Sequence, residues 1–216
     1  MKQIIFDINA LGDVSLTEFG QANTMLVNMV RQWPDSGGPR PQGFLIADLA
    51  YDEVVTYNFL EGEAEELLFM LAPIGAGTVA QLSLQIQDLL LRAALPFVFQ
   101  VRVVAAYQKL TELSSSNGSV YMVCSPIFLK NGQYVQPPYI EVLGPIKGEN
   151  EMLNGCKKCY ATLFHPQNLK FQLDQEIPVF NAKLSIGVIE ADHRRENPIK
   201  NALSILEEAY DDLLVV

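Results

Sequence analysis

The sequence predicts an α+β fold: a mainly antiparallel sheet with about four helices, a strand-rich C-terminal half and a projecting hairpin. Three observations predict it. A capped apolar stripe of helical spacing follows Ser15, a two-residue hairpin turn stands at Asn131-Gly132, and strands do not alternate regularly with helices as a parallel sheet would require.

The elements follow in order. Gln3 to Asn9 places Ile4, Phe6 and Ile8 on one side and reads as a strand. Ser15-Leu-Thr-Glu18 has capping-box spacing, in which each side chain satisfies a free amide at a helix start. Behind it Phe19, Ala22, Leu26, Met29, Val30 and Trp33 form one apolar stripe, stopped by the Pro34 to Pro41 loop. Phe44 to Leu49 and Val54 to Leu60 read as strands joined by a turn at Tyr51-Asp52. Glu63, Glu65 and Glu66 suit the first turn of a short helix over Leu67 to Leu71, which Pro73 ends. A second helix fits Thr78 to Leu95, and Phe97 to Val104 alternates as a strand.

Beyond the Ser114 to Gly118 turn, Val120 to Leu129 and Gln133 to Val142 flank Asn131-Gly132, both tolerant of positive φ. Pro126, Pro137 and Pro138 cannot donate to a ladder, so part of this hairpin lies at an edge or projects. Tyr160 to Phe164, Leu169 to Leu173 and Lys183 to Ile189 read as further strands. Asn197-Pro198 opens a closing helix with Ile199, Leu203, Leu206, Tyr210 and Leu213 on one face. With no shift in composition, residues 1–216 form one domain, with a possible subdomain break near 111–118.

Composition narrows the function. Of 216 residues 49% are apolar and 19% charged, below the roughly 25% usual for soluble domains. Fifteen Lys and Arg face 25 Asp and Glu, for a net charge of −10, which disfavours direct nucleic-acid binding and anionic membrane surfaces. The uncharged run Leu67 to Gln87 is broken by Pro73, Gly75, Gly77 and three glutamines, which argues against a membrane span. No secretory signal opens the chain, and three cysteines do not make a disulfide framework. These features place the protein in the cytoplasm or in an assembled particle. Two histidines supply little acid-base chemistry.

Each motif has a bland reading beside the chemical one. Ile4-Ile-Phe-Asp7-Ile-Asn9 resembles the opening strand of haloacid-dehalogenase-like phosphatases, whose first aspartate attacks phosphorus, and of PIN-like nucleases, whose aspartate helps hold a divalent metal. Asn9 departs from the phosphatase pattern and the chain does not alternate strand and helix, so Asp7 also reads as a strand-end aspartate. Gly75-Ala-Gly77-Thr-Val-Ala80 matches a dinucleotide-binding fingerprint, in which backbone approaches a pyrophosphate. That fingerprint needs a strand before it, where this sequence reads as helix. Cys156-Lys-Lys-Cys159, with Cys124 and His165, offers the ligand types of a structural zinc site.

The expectation from these residues is a non-enzymatic subunit of a multimeric particle, such as a virion or phage-tail component, without cofactor or metal. It would self-associate and meet other assembly proteins through the hairpin residues Asn131, Gly132, Tyr134, Pro137 and Pro138. Two alternatives stand beside it: a small enzyme or nucleotide-binding protein using Asp7 or the Gly75 to Ala80 loop, and a zinc-stapled interaction module.

Overall fold

The computed structural model describes residues 3–33, 39–71, 77–113, 117–179, 181–191 and Ser204. Its strands are β1 (Ile5–Asp7), β2 (Gly43–Ile46), β3 (Ser119–Lys130), β4 (Gln133–Val135), β5 (Glu141–Lys147) and β6 (Lys183–Glu190). Its helices are α1 (Leu16–Arg31), α2 (Leu49–Asn58), α3 (Leu60–Leu71), α4 (Gly77–Arg92), α5 (Phe97–Leu113), α6 (Glu149–Thr162) and α7 (Pro166–Asp174). The fold is α+β, as expected, with more helix than the sequence suggests.

The sheet runs β1-β2-β6-β3-β4, with β5 also paired to β3, and every pairing is antiparallel. β3 is its spine. β6 lies along one side of it from Val120 to Ile127, while β5 and β4 share the other. Between those two strands stand Pro137 and Pro138, which lack the amide a ladder needs.

Successive side chains of a strand point to opposite faces, and this divides the core in two. Leu45, Ala47, Val123 and Ile189 meet Phe19, Ala22, Leu26, Val27 and Val30 of α1. Phe44, Ile46, Met122, Leu184, Ile186 and Val188 face the layer formed by the other helices, including Tyr51, Ile86, Phe99, Val103 and Tyr160.

Four expected strands are helical. Val54 to Leu60 belongs mostly to α2, which Asp48 caps by accepting the Leu49 amide at 2.8 Å. Phe97 to Val104 opens α5, whose buried residues Phe99, Val103, Tyr107 and Leu110 recur at helical spacing. Alternating apolar residues satisfied a strand over eight positions, but the continuation to Leu110 favours the helix. Tyr160 to Phe164 ends α6 and the turn after it, and Leu169 to Leu173 lies in α7, where His165 caps and Pro166 starts the helix. Apart from Ser204, which is helical, the expected closing helix lies outside the described residues. No single described helix is long and apolar enough to cross a membrane.

Candidate functional site

The most constrained polar arrangement lies where α1 meets the sheet. Ser15 caps the first turn through its hydroxyl, which accepts the Thr17 amide at 3.3 Å. At Gly20 the helix breaks, with φ 68° and ψ 174°, a conformation essentially confined to glycine. Helical backbone resumes at Gln21, so the longer segment has a fresh N-terminus whose amides lack partners inside the helix. Two of these find hydroxyls: Gln21 N–H donates to Tyr134 Oη at 3.2 Å, and Asn23 N–H donates to Ser125 Oγ at 3.3 Å.

Close packing holds this start in place. A Cβ on Gly20 would stand 2.5 Å from Ser125 Oγ and 3.0 Å from the Pro126 carbonyl oxygen. A Cβ on Gly187, in β6, would collide with Asn23 Oδ1. Asn23 is fully buried; its amide nitrogen donates to Ser185 Oγ at 2.7 Å, and Ser185 in turn donates to the Phe19 carbonyl at 2.5 Å. α1 is thus stitched to β3 and β6 by hydroxyls and one amide. Backbone N–H groups and the positive end of a helix dipole make such a turn an acceptor of anions. Its hydrogen-bonding side chains, Tyr134, Ser125, Asn23 and Ser185, are all uncharged.

A cleft of about 660 Å³ lies between the β3–β4 turn and the α7–β6 connection, lined by Lys130, Asn131, Gln175, Ile177, Pro178 and Lys183 among others. Its lysines are already engaged. Lys130 Nζ donates to Gln175 Oε1 at 3.1 Å, and Lys183 Nζ lies 2.6 Å from Asp52 and 3.5 Å from Asp48. Burial opposes the Lys183 charge, but the hydrogen bonds and charges of the two aspartates outweigh it and raise its pKa. Burial likewise raises Asp48, with Lys183 and the Leu49 amide offsetting only part. The cluster ties α2 to β6.

The residues singled out in the sequence are scattered. Asp7 is exposed at the end of β1, where its carboxylate accepts the Asn9 amide at 2.9 Å, and no other carboxylate is among the described residues lining the 260 Å³ cleft beside it. Gly77 opens α4 and α3 precedes it, so the strand that a dinucleotide fingerprint needs is replaced by a helix; residues 72–76 lie outside the described residues. Cys156 and Cys159 sit inside α6 and pack with Cys124 of β3 in the core. Burial pushes the Cys156 and Cys159 thiols well up, and the neighbouring Cys124 adds to this. His165 is elsewhere, accepting the Gln167 amide at 3.4 Å and stacked on Tyr139 with ring centroids 3.7 Å apart. Among the described residues no three His, Cys, Asp or Glu side chains are grouped to hold a metal ion.

Of the hairpin residues, Asn131 and Gly132 form the exposed turn, with φ of 54° and 76°. Tyr134 reaches back to α1, Pro137 is buried, and Pro138 is half-buried. Sequence reasoning missed Gly20, Asn23, Ser125 and Ser185. A glycine four residues after the start of a capped helix was the available signal, because there it costs helix stability without a local reason.

Similarity to known proteins gives this geometry a context. The family model for the pyruvate phosphate dikinase AMP/ATP-binding domain matches residues 20–196, beginning at the glycine where α1 breaks. A relative from Methanocaldococcus jannaschii, named probable phosphoenolpyruvate synthase, is 22% identical over 188 residues, covering 84% of this chain. The chain spans only 15% of that protein's length. These matches overturn the expected role as a structural subunit of a virion or phage-tail-like particle: the apolar surplus that suggested it fills two cores, one on each face of the sheet. Through the match over residues 20–196, the chain belongs to the family of the pyruvate phosphate dikinase AMP/ATP-binding domain.

Proposed function

We propose that this chain is the nucleotide-binding part of an enzyme related to phosphoenolpyruvate synthase, and that it binds the phosphate end of an adenine nucleotide against the turn at Gly20–Asn23. The observation that carries the reading is the family match, which spans all of the sheet except β1 and both of its helical layers. The turn supports the placement because glycine brings bare backbone to the surface of β3 and starts a helix there. The chemistry the chain performs is to hold and orient phosphate oxygens with N–H donors. Phosphoryl transfer would need cations and acids that these neutral partners do not provide.

Calorimetric titration of the purified chain with ATP and AMP, with and without magnesium, tests this. Gln21 is the probe because its side chain lies beside the turn without belonging to the buried network. Gln21→Lys adds a cation near the phosphates and is expected to tighten binding about three- to tenfold; Gln21→Glu is expected to weaken it by a similar factor. Identical affinities in the two variants would remove the phosphate from this turn. Absence of any nucleotide binding would remove the functional reading itself.

A further inference from the structure

We propose that the cleft between α3 and the α7–β6 connection binds an aliphatic polyamine, a linear molecule whose ammonium groups are separated by methylenes. The inference is independent of the nucleotide reading and concerns a different part of the chain. The cleft holds about 380 Å³, a volume of the order found in small-molecule sites, and Glu61, Glu65 and Glu176 line it. Leu173, Ile177 and Pro178 add apolar wall. Among the described residues none of the three glutamates has an ion-pair partner. The lysines of the adjoining cleft are already engaged, Lys183 by Asp48 and Asp52 and Lys130 by Gln175. Glu61 and Glu65 stand one helical turn apart on α3, where like charges repel each other.

Gln172 points to a ligand independently of the carboxylates. It lines the same cleft and is fully buried, yet its Oε1 has no hydrogen-bond partner. Its Nε2 donates to the Leu163 carbonyl at 3.2 Å. That bond fixes which end of the amide is left open, because the reverse orientation would set oxygen against oxygen. A buried acceptor without a donor calls for one from outside the chain, and an ammonium group offers donors only. The spacing of the acceptors then selects among cations. Among the described residues no three His, Cys, Asp or Glu side chains are grouped to hold a metal ion, so a compact divalent ion finds no shell here. A methylene chain laid over Leu173, Ile177 and Pro178 instead carries its charges to separate carboxylates, much as a lysine stem covers apolar surface while its head stays polar.

Spermidine is the probe, titrated calorimetrically into the full chain at low salt while the side-chain amide of Gln172 is followed by nuclear magnetic resonance. Glu65 and Glu176 are exposed, so replacing either by glutamine leaves the core undisturbed. The expected result is saturable binding at one site, weakened about two- to fivefold by Glu65→Gln or by Glu176→Gln. Glu151, an exposed glutamate of α6 that does not line the cleft, is the control, and Glu151→Gln is expected to leave the affinity unchanged. The Gln172 amide resonances are expected to move as the site fills. Equal weakening by Glu151→Gln would overturn the proposal, by reducing the binding to general attraction toward an acidic chain. Stationary Gln172 resonances, or no saturable binding of spermidine, would overturn it as well. Magnesium alone binding with the same affinity and the same dependence on Glu65 and Glu176 would put a metal in place of the polyamine and sink the idea.

Discussion

Replacing Gly20 by alanine is the sharpest perturbation of the α1 junction. Its φ of 68° with ψ of 174° lies in a region essentially closed to residues with a Cβ, and forcing alanine there costs about 1–3 kcal/mol. The new Cβ would stand 2.5 Å from Ser125 Oγ and 3.2 Å from Ile127 Cγ1. Ser125 is fully buried and cannot retreat freely, so overpacking adds about 1–3 kcal/mol. Shifting it also weakens the Asn23 amide bond, worth about 1 kcal/mol. The expected loss is about 3–7 kcal/mol, a large part of the roughly 5–15 kcal/mol that usually holds a domain folded. Urea unfolding followed by circular dichroism measures it, with Gly62→Ala as the control. Gly62 lies within α3 with nothing inside 4 Å of its would-be Cβ, so alanine there is expected to stabilise by about 0.5–1 kcal/mol. A Gly20→Ala protein within about 1 kcal/mol of wild type would refute the reasoning, since neither the strain nor the clash would then exist.

Two further predictions concern titratable groups. The three cysteines are buried, and burial holds the Cys156 and Cys159 thiols protonated, so a thiolate-specific disulfide reagent at pH 8 is expected to label none of the three in the native chain and all three in urea. Fast labelling without denaturant would contradict the packing of α6 on β3. Burial lowers the His165 pKa from 6.5, with Glu141 pulling the other way, so the native chain binds fewer protons than the unfolded one just below that value. Stability is therefore expected to fall as pH drops through 6.5, and His165→Asn, which preserves a capping side chain, is expected to flatten the dependence. Parallel curves for the two proteins from pH 5 to 8 would show that the ring is not desolvated when folded.

Much of the sheet could be read from the sequence because its signals are local. Asn131-Gly132 fixed one turn, and the apolar runs at Phe44, Val120 and Lys183 needed no partner to be recognised as strands. The helices behind the sheet were harder. Phe97 to Val104 and Tyr160 to Phe164 are apolar on almost every side, so a period of two and a period of 3.6 fit equally well until burial chooses. Val54 to Leu60 misled for the same reason, and Asp48, the cap that starts α2, was not weighed. The candidate site was less legible than the fold. Phe19, Ser125, Ser185 and Tyr134 lie up to 166 residues apart and, with Gly20, become one polar junction only when α1 lies across the sheet. The expected alternatives at Asp7 and Gly75 drew on motifs contiguous in sequence, whereas this junction is assembled from four separate elements.

The position of β6 constrains how such a chain comes into being on the ribosome. It is the last strand to be made among the described residues, yet it lies between β2 and β3 and carries Ser185 and Gly187 beneath α1. Until it emerges, the β1–β2 pair and the β3 group have no seam between them, and the underside of α1 lacks the part of its floor that Ser185 and Gly187 supply. Translation must therefore run past Glu190 before the layers can close, and a nascent chain stalled earlier would display both apolar faces to chaperones.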